Sequence, residues 1–151
     1  MIKIYTDGSA RGNPGPGGYG VLLKYKEQQK ELSQGFRKTT NNRMELLAVI
    51  IGLESLKVTN SAVTIYSDSK YVIDAIEKGW LKSWIQKDFK GKKNPDLWKR
   101  FWKIYQQHKV AFCWVKGHAG HPENERCDEL AVASSKKGNL LIDHNYEARC
   151  C

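Results

Sequence analysis

The stretch Ile2-Lys3-Ile4-Tyr5-Thr6-Asp7-Gly8-Ser9 decides the fold. Its apolar and β-branched residues read as a β-strand that carries a carboxylate out to its end. Asp-Gly is also an ordinary turn signal, so Asp7 has a plain structural reading beside any chemical one. The residues that follow, Gly8 to Gly18, are rich in Gly and Pro and too few for a crossover helix, which makes a hairpin the natural connection. A second strand is expected over Tyr19 to Tyr25, a polar turn over Lys26 to Gln29, and a third strand over about Lys30 to Phe36. Together they form an antiparallel meander.

Inside the meander, Gly15-Pro16-Gly17-Gly18-Tyr19-Gly20 fits the pattern G-x-G-x-x-G. A dinucleotide site would need a strand before that pattern and a helix opening within it. Here prolines interrupt the loop and a strand follows, so the dinucleotide reading is rejected.

The chain then turns helical. Asn41-Asn42-Arg43-Met44-Glu45-Leu46-Leu47-Ala48-Val49-Ile50-Ile51-Gly52-Leu53 predicts a helix reaching about Lys57 and apolar around most of its circumference, so it should pack on more than one neighbour. Asn42 as cap with Glu45 three residues on makes a capping-box pattern, which gives Glu45 a plain role. Helical spacing also sets Glu45 beside Ala48, Val49 and Gly52, where an acid is costly without a partner.

A fourth strand, Ala62 to Tyr66, runs through Ser67-Asp68-Ser69 into a short helix over Lys70 to Glu77 closed by Gly79. The plain reading of Asp68 is a helix cap. Strand, long helix and strand in succession imply a right-handed crossover that makes strands one and four parallel neighbours. Sites in open sheets of this kind lie at the carboxyl ends of the strands, where Asp7 and Asp68 would meet.

Further on, a short helix is expected over Trp80 to Trp84 and another from Asp96 to about Gln107, with Trp98 and Trp102 as core. Between them lies the basic loop Gln86 to Asn94, whose lysines form an electrostatic footprint for phosphates. A fifth strand, Val110 to Val115, leads through Gly-flanked His118 into a last helix. Pro122 sits at its first position, acids crowd its first turn, Lys136 and Lys137 lie in its last, and Gly138 ends it.

At 151 residues the chain suits one domain over 1–151, with a C-terminal tail from about residue 139. No apolar run approaches the ~18 residues of a membrane span, and no leader peptide precedes the first strand, so a cytoplasmic protein without membrane attachment is expected. With 25 Lys plus Arg against 16 Asp plus Glu, the net charge of +9 favours polyanionic partners such as nucleic acid or acidic lipid. Cys113 and Cys127 are expected to be buried, reduced packing residues. A zinc site of Cys113, His118, His121 and Cys127 is disfavoured, because no Cys-x-x-Cys pair fixes the thiols.

Four acids remain as candidates: Asp7, Glu45, Asp68 and Asp128. Each alone has a plain reading. Gathered together, they would repel one another unless protonated or bound to divalent cations, and carboxylates with water are what Mg²⁺ and Mn²⁺ prefer. Two such ions about 4 Å apart can clamp the attacking and leaving oxygens of a phosphodiester.

The ordered motifs Tyr5-Thr6-Asp7-Gly8-Ser9, Asn41-Asn42-Arg43-Met44-Glu45, Ser67-Asp68-Ser69-Lys70-Tyr71-Val72 and Trp114-Val115-Lys116-Gly117-His118-Ala119-Gly120-His121 through Asp128-Glu129-Leu130-Ala131 closely resemble the signatures of bacterial type 1 ribonuclease H. The likeness runs from residue 1 to about residue 145. It implies an α/β fold with a five-stranded mixed sheet of order 3-2-1-4-5, strand two antiparallel, and helices on both faces.

It implies further an endonuclease that hydrolyses the RNA strand of RNA/DNA hybrids with two Mg²⁺ ions, Mn²⁺ as a possible substitute, leaving a 5′-phosphate and a 3′-hydroxyl. Asp7 would bridge the ions, Glu45 and Asp68 would help to fix them, and Asp128 would complete the second site. His118 would assist proton transfer or product release without ligating metal. By the same likeness, Asn13, Asn41 and Asn42 would read the minor groove, where 2′-hydroxyls mark RNA. Thr40 and Asn94 would hold a DNA phosphate, Trp80 and Ser83 would touch the DNA strand, Tyr71 would support the site, and Lys87, Lys90, Lys92 and Lys93 would form a basic protrusion.

There are departures from the pattern. Ala10 and Lys70 stand where some relatives have Cys and Gln, the segment from Lys78 to Asn94 aligns only with gaps, and Cys150-Cys151 lies outside it. With the first strand at residue 2, no separate hybrid-binding module is expected, and a monomer is. A DNA nuclease of the same fold and a hybrid-binding protein without catalysis are the rival readings. Asn41-Asn42 and the basic loop speak against the first, and the presence of all four acids against the second.

Overall fold

The structure, a computed structural model, describes residues 1–116 and 121–149. Five strands, β1 (Ile2–Ala10), β2 (Gly15–Tyr25), β3 (Gln28–Thr39), β4 (Ala62–Ser67) and β5 (Lys109–Trp114), form one sheet in the order β3-β2-β1-β4-β5. β2 is antiparallel to both β1 and β3, whereas β1, β4 and β5 run parallel. This is the expected mixed sheet. The helices are α1 (Asn41–Glu54), α2 (Lys70–Glu77), α3 (Trp80–Gln86), α4 (Pro95–Tyr105), α5 (Pro122–Ser135) and α6 (His144–Arg149). None of the described helices is long and apolar enough to cross a membrane.

Several boundaries differ from expectation for identifiable reasons. β2 starts at Gly15 rather than Tyr19, because backbone ladder bonds need no side chain and Gly17 and Gly18 already pair with Ala10 and Ser9. The glycine pattern is thus strand throughout, with no helix opening from it. α1 is capped by Thr40, whose Oγ1 accepts from Arg43 N at 3.2 Å, and not by Asn42. Lys136 is the C-cap of α5 rather than a residue of its last turn, and Lys137 lies beyond it.

Helix α1 is buried on nearly all sides and packs on β1, β2 and α4, as its apolar circumference requires. Trp98 and Phe101 of α4 are fully buried with it, whereas Trp102 is half-buried at its margin. α5 packs on β1, β2 and β3. It comes so close to β2 that a Cβ on Gly20 would meet the Cys127 carbonyl, so only glycine fits that crossing. The residues after Gly138 also pack. Leu141 bridges to Phe36 and exchanges backbone hydrogen bonds with Gly35 and Arg37, covering the free edge of β3.

The two described cysteines divide. Cys127 is fully buried under β1 and donates to the Tyr5 carbonyl at 3.2 Å. Cys113 is exposed, contrary to expectation, because β5 is an edge strand whose outward positions 111 and 113 carry no helix above them. Burial pushes both the Cys127 thiol and the Tyr5 phenol up to about 12. Both groups hold protons more tightly folded than unfolded, so the stability they contribute is complete below about pH 9 and is lost as pH rises toward about 12. At pH 8, iodoacetamide followed by peptide mapping is expected to label Cys113 and to spare Cys127 until denaturant is added. Labelling of both at equal rates would mean that α5 does not seal β1.

Candidate functional site

The carboxyl ends of β1 and β4 gather the acids. Asp7 lies inside β1 opposite Gly20 and is only 4% exposed, so it is no turn residue. Glu45 is not part of a capping box. Its Oε1 instead accepts the Gly8 N–H at 2.9 Å, and the same N–H lies 2.9 Å from Asp7 Oδ1. Asp68 follows β4, but the cap of α2 is Ser69, whose Oγ accepts from Val72 N at 3.4 Å. The plain readings of these three acids are therefore unfilled, and an oxygen from each lies within 4.8 Å of the others. Asp128, from α5, lines the same open depression of about 410 Å³, together with Asn41, Asn42 and Tyr71.

Charge makes this arrangement demanding. Burial, and then neighbouring Asp7 and Asp68, hold the Glu45 carboxyl well above the usual carboxylate range, while the Gly8 N–H pulls the other way. Glu45 Oε2 is buried and receives no hydrogen bond among the described residues. A buried carboxylate oxygen without a donor, beside two further acids, fits a hard divalent cation, whose preferred ligands are such oxygens. Among the described residues this is the one group of His, Cys, Asp or Glu side chains close enough to hold a metal. The zinc reading finds no support, since Cys127 is turned to the Tyr5 backbone and Cys113 lies on the exposed face.

A second cleft of about 560 Å³ adjoins the first, and Asn42 lines both. Asn13, Thr40, Lys92, Lys93 and Asn94 line it too, which with Asn42 brings together residues from three separate stretches of the sequence. The asparagines are tied to the backbone: Asn41 Oδ1 accepts from Ala10 N at 2.6 Å and Asn13 Oδ1 from Asn41 N at 2.9 Å. Those bonds fix the loop after β1 against the start of α1. The amide NH₂ groups are the parts of Asn13 and Asn41 not used in these bonds.

The other expected contacts lie around this centre. Tyr71 is half-buried, its hydroxyl accepting from Asn94 Nδ2 at 3.0 Å and Trp98 Nε1 at 2.9 Å. Trp80 is exposed, with Ser83 half-buried three residues on, and Lys87, Lys90, Lys92 and Lys93 are all exposed around the turn after α3. Lys92 Nζ sits 5.3 Å from the centre of the Trp84 ring, which supports part of that basic loop. His118 and the Cys150-Cys151 pair lie outside the described residues.

Several residues that line these clefts are missing from the sequence-derived set, and the larger side chains among them are Lys70, Arg43 and Tyr146. Lys70 lines the acid depression and its Nζ stacks 3.7 Å from the Trp114 ring centre. Arg43 and Tyr146 line the second cleft. Lys70 lies within the motif Ser67 to Val72 and so carries a visible signal, but Tyr146 comes from a segment with no motif.

Comparison with known proteins agrees with this geometry. Residues 1–136 match the family described as RNase H. The chain is similar to a protein named ribonuclease H from Desulforamulus reducens, 60% identical over 147 residues that cover 94% of this chain and 92% of that one. It is also similar to a ribonuclease H of Rippkaea orientalis, 55% identical over 151 residues, covering 97% and 92% of the two. Among solved structures, a type 1 RNase H with the type 2 active-site motif superposes with a TM-score of 0.80 at 32% identity, covering 99% of this chain and 80% of that one. LC11-RNase H1 in complex with an RNA/DNA hybrid gives 0.66 at 28%, covering 97% and 99%. Likeness of this extent, in sequence and in strand order alike, makes the chain a member of the RNase H family of enzymes.

Proposed function

We propose that this protein hydrolyses the RNA strand of RNA/DNA hybrids by two-metal-ion catalysis, leaving a 5′-phosphate and a 3′-hydroxyl. The observation that carries the reading is the meeting of Asp7, Glu45 and Asp68 within 4.8 Å beside a cleft lined by amides and lysines. That LC11-RNase H1 was solved with an RNA/DNA hybrid supports the choice of substrate.

In this reading Asp7, Glu45, Asp68 and Asp128 hold two Mg²⁺ ions, for which Mn²⁺ substitutes. Bound there, such ions neutralise charge on the phosphodiester and polarise the oxygens that attack and leave. The chain's own part is to keep the ligand oxygens in place, and the Gly8 N–H does so for Asp7 and Glu45 at once. His118 takes the proton-transfer or product-release role and is not a ligand. Asn13, Asn41 and Asn42 offer amide groups to the minor groove, where 2′-hydroxyls distinguish RNA from DNA. Thr40 and Asn94 receive a DNA-strand phosphate, Trp80 and Ser83 touch the same strand, and Tyr71 backs Asn94. Lys87, Lys90, Lys92 and Lys93 supply attraction along the backbone. The same reading takes residues 1–151 as one domain and the protein as a cytoplasmic monomer.

The direct test is incubation with labelled hybrid, double-stranded RNA and double-stranded DNA, with and without Mg²⁺. Cutting of the RNA strand of the hybrid alone, and only with metal, is expected; cutting of duplex DNA would favour the rival nuclease. Neutralising the four loop lysines is expected to weaken hybrid binding and to reduce the slope of log K against log salt by up to about 3. An unchanged slope would remove the loop from the interface.

A further inference from the structure

Arg43 lines the donor-rich cleft, where a guanidinium invites the reading that it grips a phosphate. Its hydrogen bonds say otherwise. Nε donates to Asp143 Oδ2 at 2.7 Å, and Nη2 donates to Asp143 Oδ1 at 2.9 Å and Asp96 Oδ2 at 2.8 Å. Nη1 donates to Asp96 Oδ1 at 3.0 Å and Asn94 Oδ1 at 3.1 Å. A guanidinium has five N–H donors, and all five are committed. The side chain is only 3% exposed, and two carboxylates outweigh its charge, so it attracts no anion on its own account.

What Arg43 does is set Asn94. That residue stands at φ 61° just before α4, with Oδ1 taken by Arg43 and one Nδ2 hydrogen given to the Tyr71 hydroxyl. Tyr71 is itself fixed by the indole N–H of fully buried Trp98. One N–H of the Asn94 amide remains, in the cleft it shares with Thr40, Lys92 and Lys93.

We propose that Asp143, acting through Arg43, is a positioning residue for substrate binding, holding the guanidinium that aims the last Asn94 N–H at a backbone phosphate. The inference rests on the hybrid-nuclease reading above and adds the C-terminal segment to its machinery. Asp143 lies outside the residues that match the family, and it is delivered by the Leu141 contacts with β3. It also accepts from Thr39 Oγ1 at 2.8 Å, next to Thr40 in the cleft. Tyr146, in the first turn of α6, lines the same cleft with its ring centre 5.9 Å from Arg43 Cζ.

The test is a double-mutant cycle on the full chain with N94A, D143N and the pair, measuring KM and kcat for hybrid cleavage where circular dichroism shows each variant folded. Each single change is expected to raise KM about three- to tenfold with kcat within about twofold, and the pair to be no worse than N94A. A KM unmoved by D143N, or increases that multiply in the pair, would overturn the relay. Should D143N not fold, NMR of the wild type decides: a short hybrid added without metal should shift the Asn94 side-chain amide and leave the Arg43 Nε–H in place. The opposite pattern would assign phosphate binding to Arg43 and end the proposal. A wild type that neither binds nor cuts hybrid would overturn the functional reading and the relay together, whereas one that cuts hybrid with D143N unchanged would overturn the relay alone.

Discussion

Asp7→Asn is expected to abolish Mg²⁺-dependent cleavage of a labelled hybrid, by on the order of 10³-fold or more, while the protein keeps its fold. The change is isosteric, and the Gly8 N–H can still reach the side-chain oxygen, so the strand end has no reason to move. What it removes is one negative charge from a group whose oxygens lie within 4.8 Å of one another. In the metal-free protein that relieves repulsion, and the variant should resist urea as well as the wild type or better. Added Mg²⁺ should then stabilise the wild type by mass action and the variant far less. Two measurements therefore separate the roles. Cleavage near the wild-type rate would sink the metal assignment, and a large loss of metal-free stability would mean that Asp7 is there to hold the fold.

The same pairing of structure and chemistry explains what could be read from the sequence. Strand β1, the meander, the crossover through α1 and the end of β4 all follow from local periodicity and connection length, and these suffice to bring Asp7 and Asp68 together, although β1 runs on past Asp7 to Ala10. The cap of α1 was not legible, because Thr40, Asn41 and Asn42 are all acceptable caps and only the extended backbone at Thr40 decides. The exposure of Cys113 has a tertiary cause: strand alternation gives its face, but not whether a helix covers that face at an edge. The Arg43–Asp143 pair is beyond local reasoning altogether, since it joins positions 100 residues apart and leaves no periodic trace.

Gly8→Ala is expected to have the second-largest effect, and it tests why the acids meet at all. A Cβ on Gly8 would overlap the Met44 carbonyl carbon and lie 2.5 Å from both Glu45 N and Met44 O, all backbone atoms of α1. No rotamer can yield there. Either α1 lifts from β1 or the strand end bends, at a cost of about 1–3 kcal/mol or more, because the crossing is otherwise close-packed. Whichever moves, the Gly8 N–H no longer aligns Asp7 Oδ1 with Glu45 Oε1, and a misplacement of about 1 Å costs about 10²-fold in rate. Gly79→Ala is the control, since Gly79 has open space around its Cβ position but a φ of +74°. It should lose about 1 kcal/mol to backbone strain and none of the activity of the folded protein. If Gly8→Ala, assayed where it is fully folded, cleaved hybrid at the Gly79→Ala rate, the close approach of α1 to β1 would be a packing detail and not the device that positions Glu45.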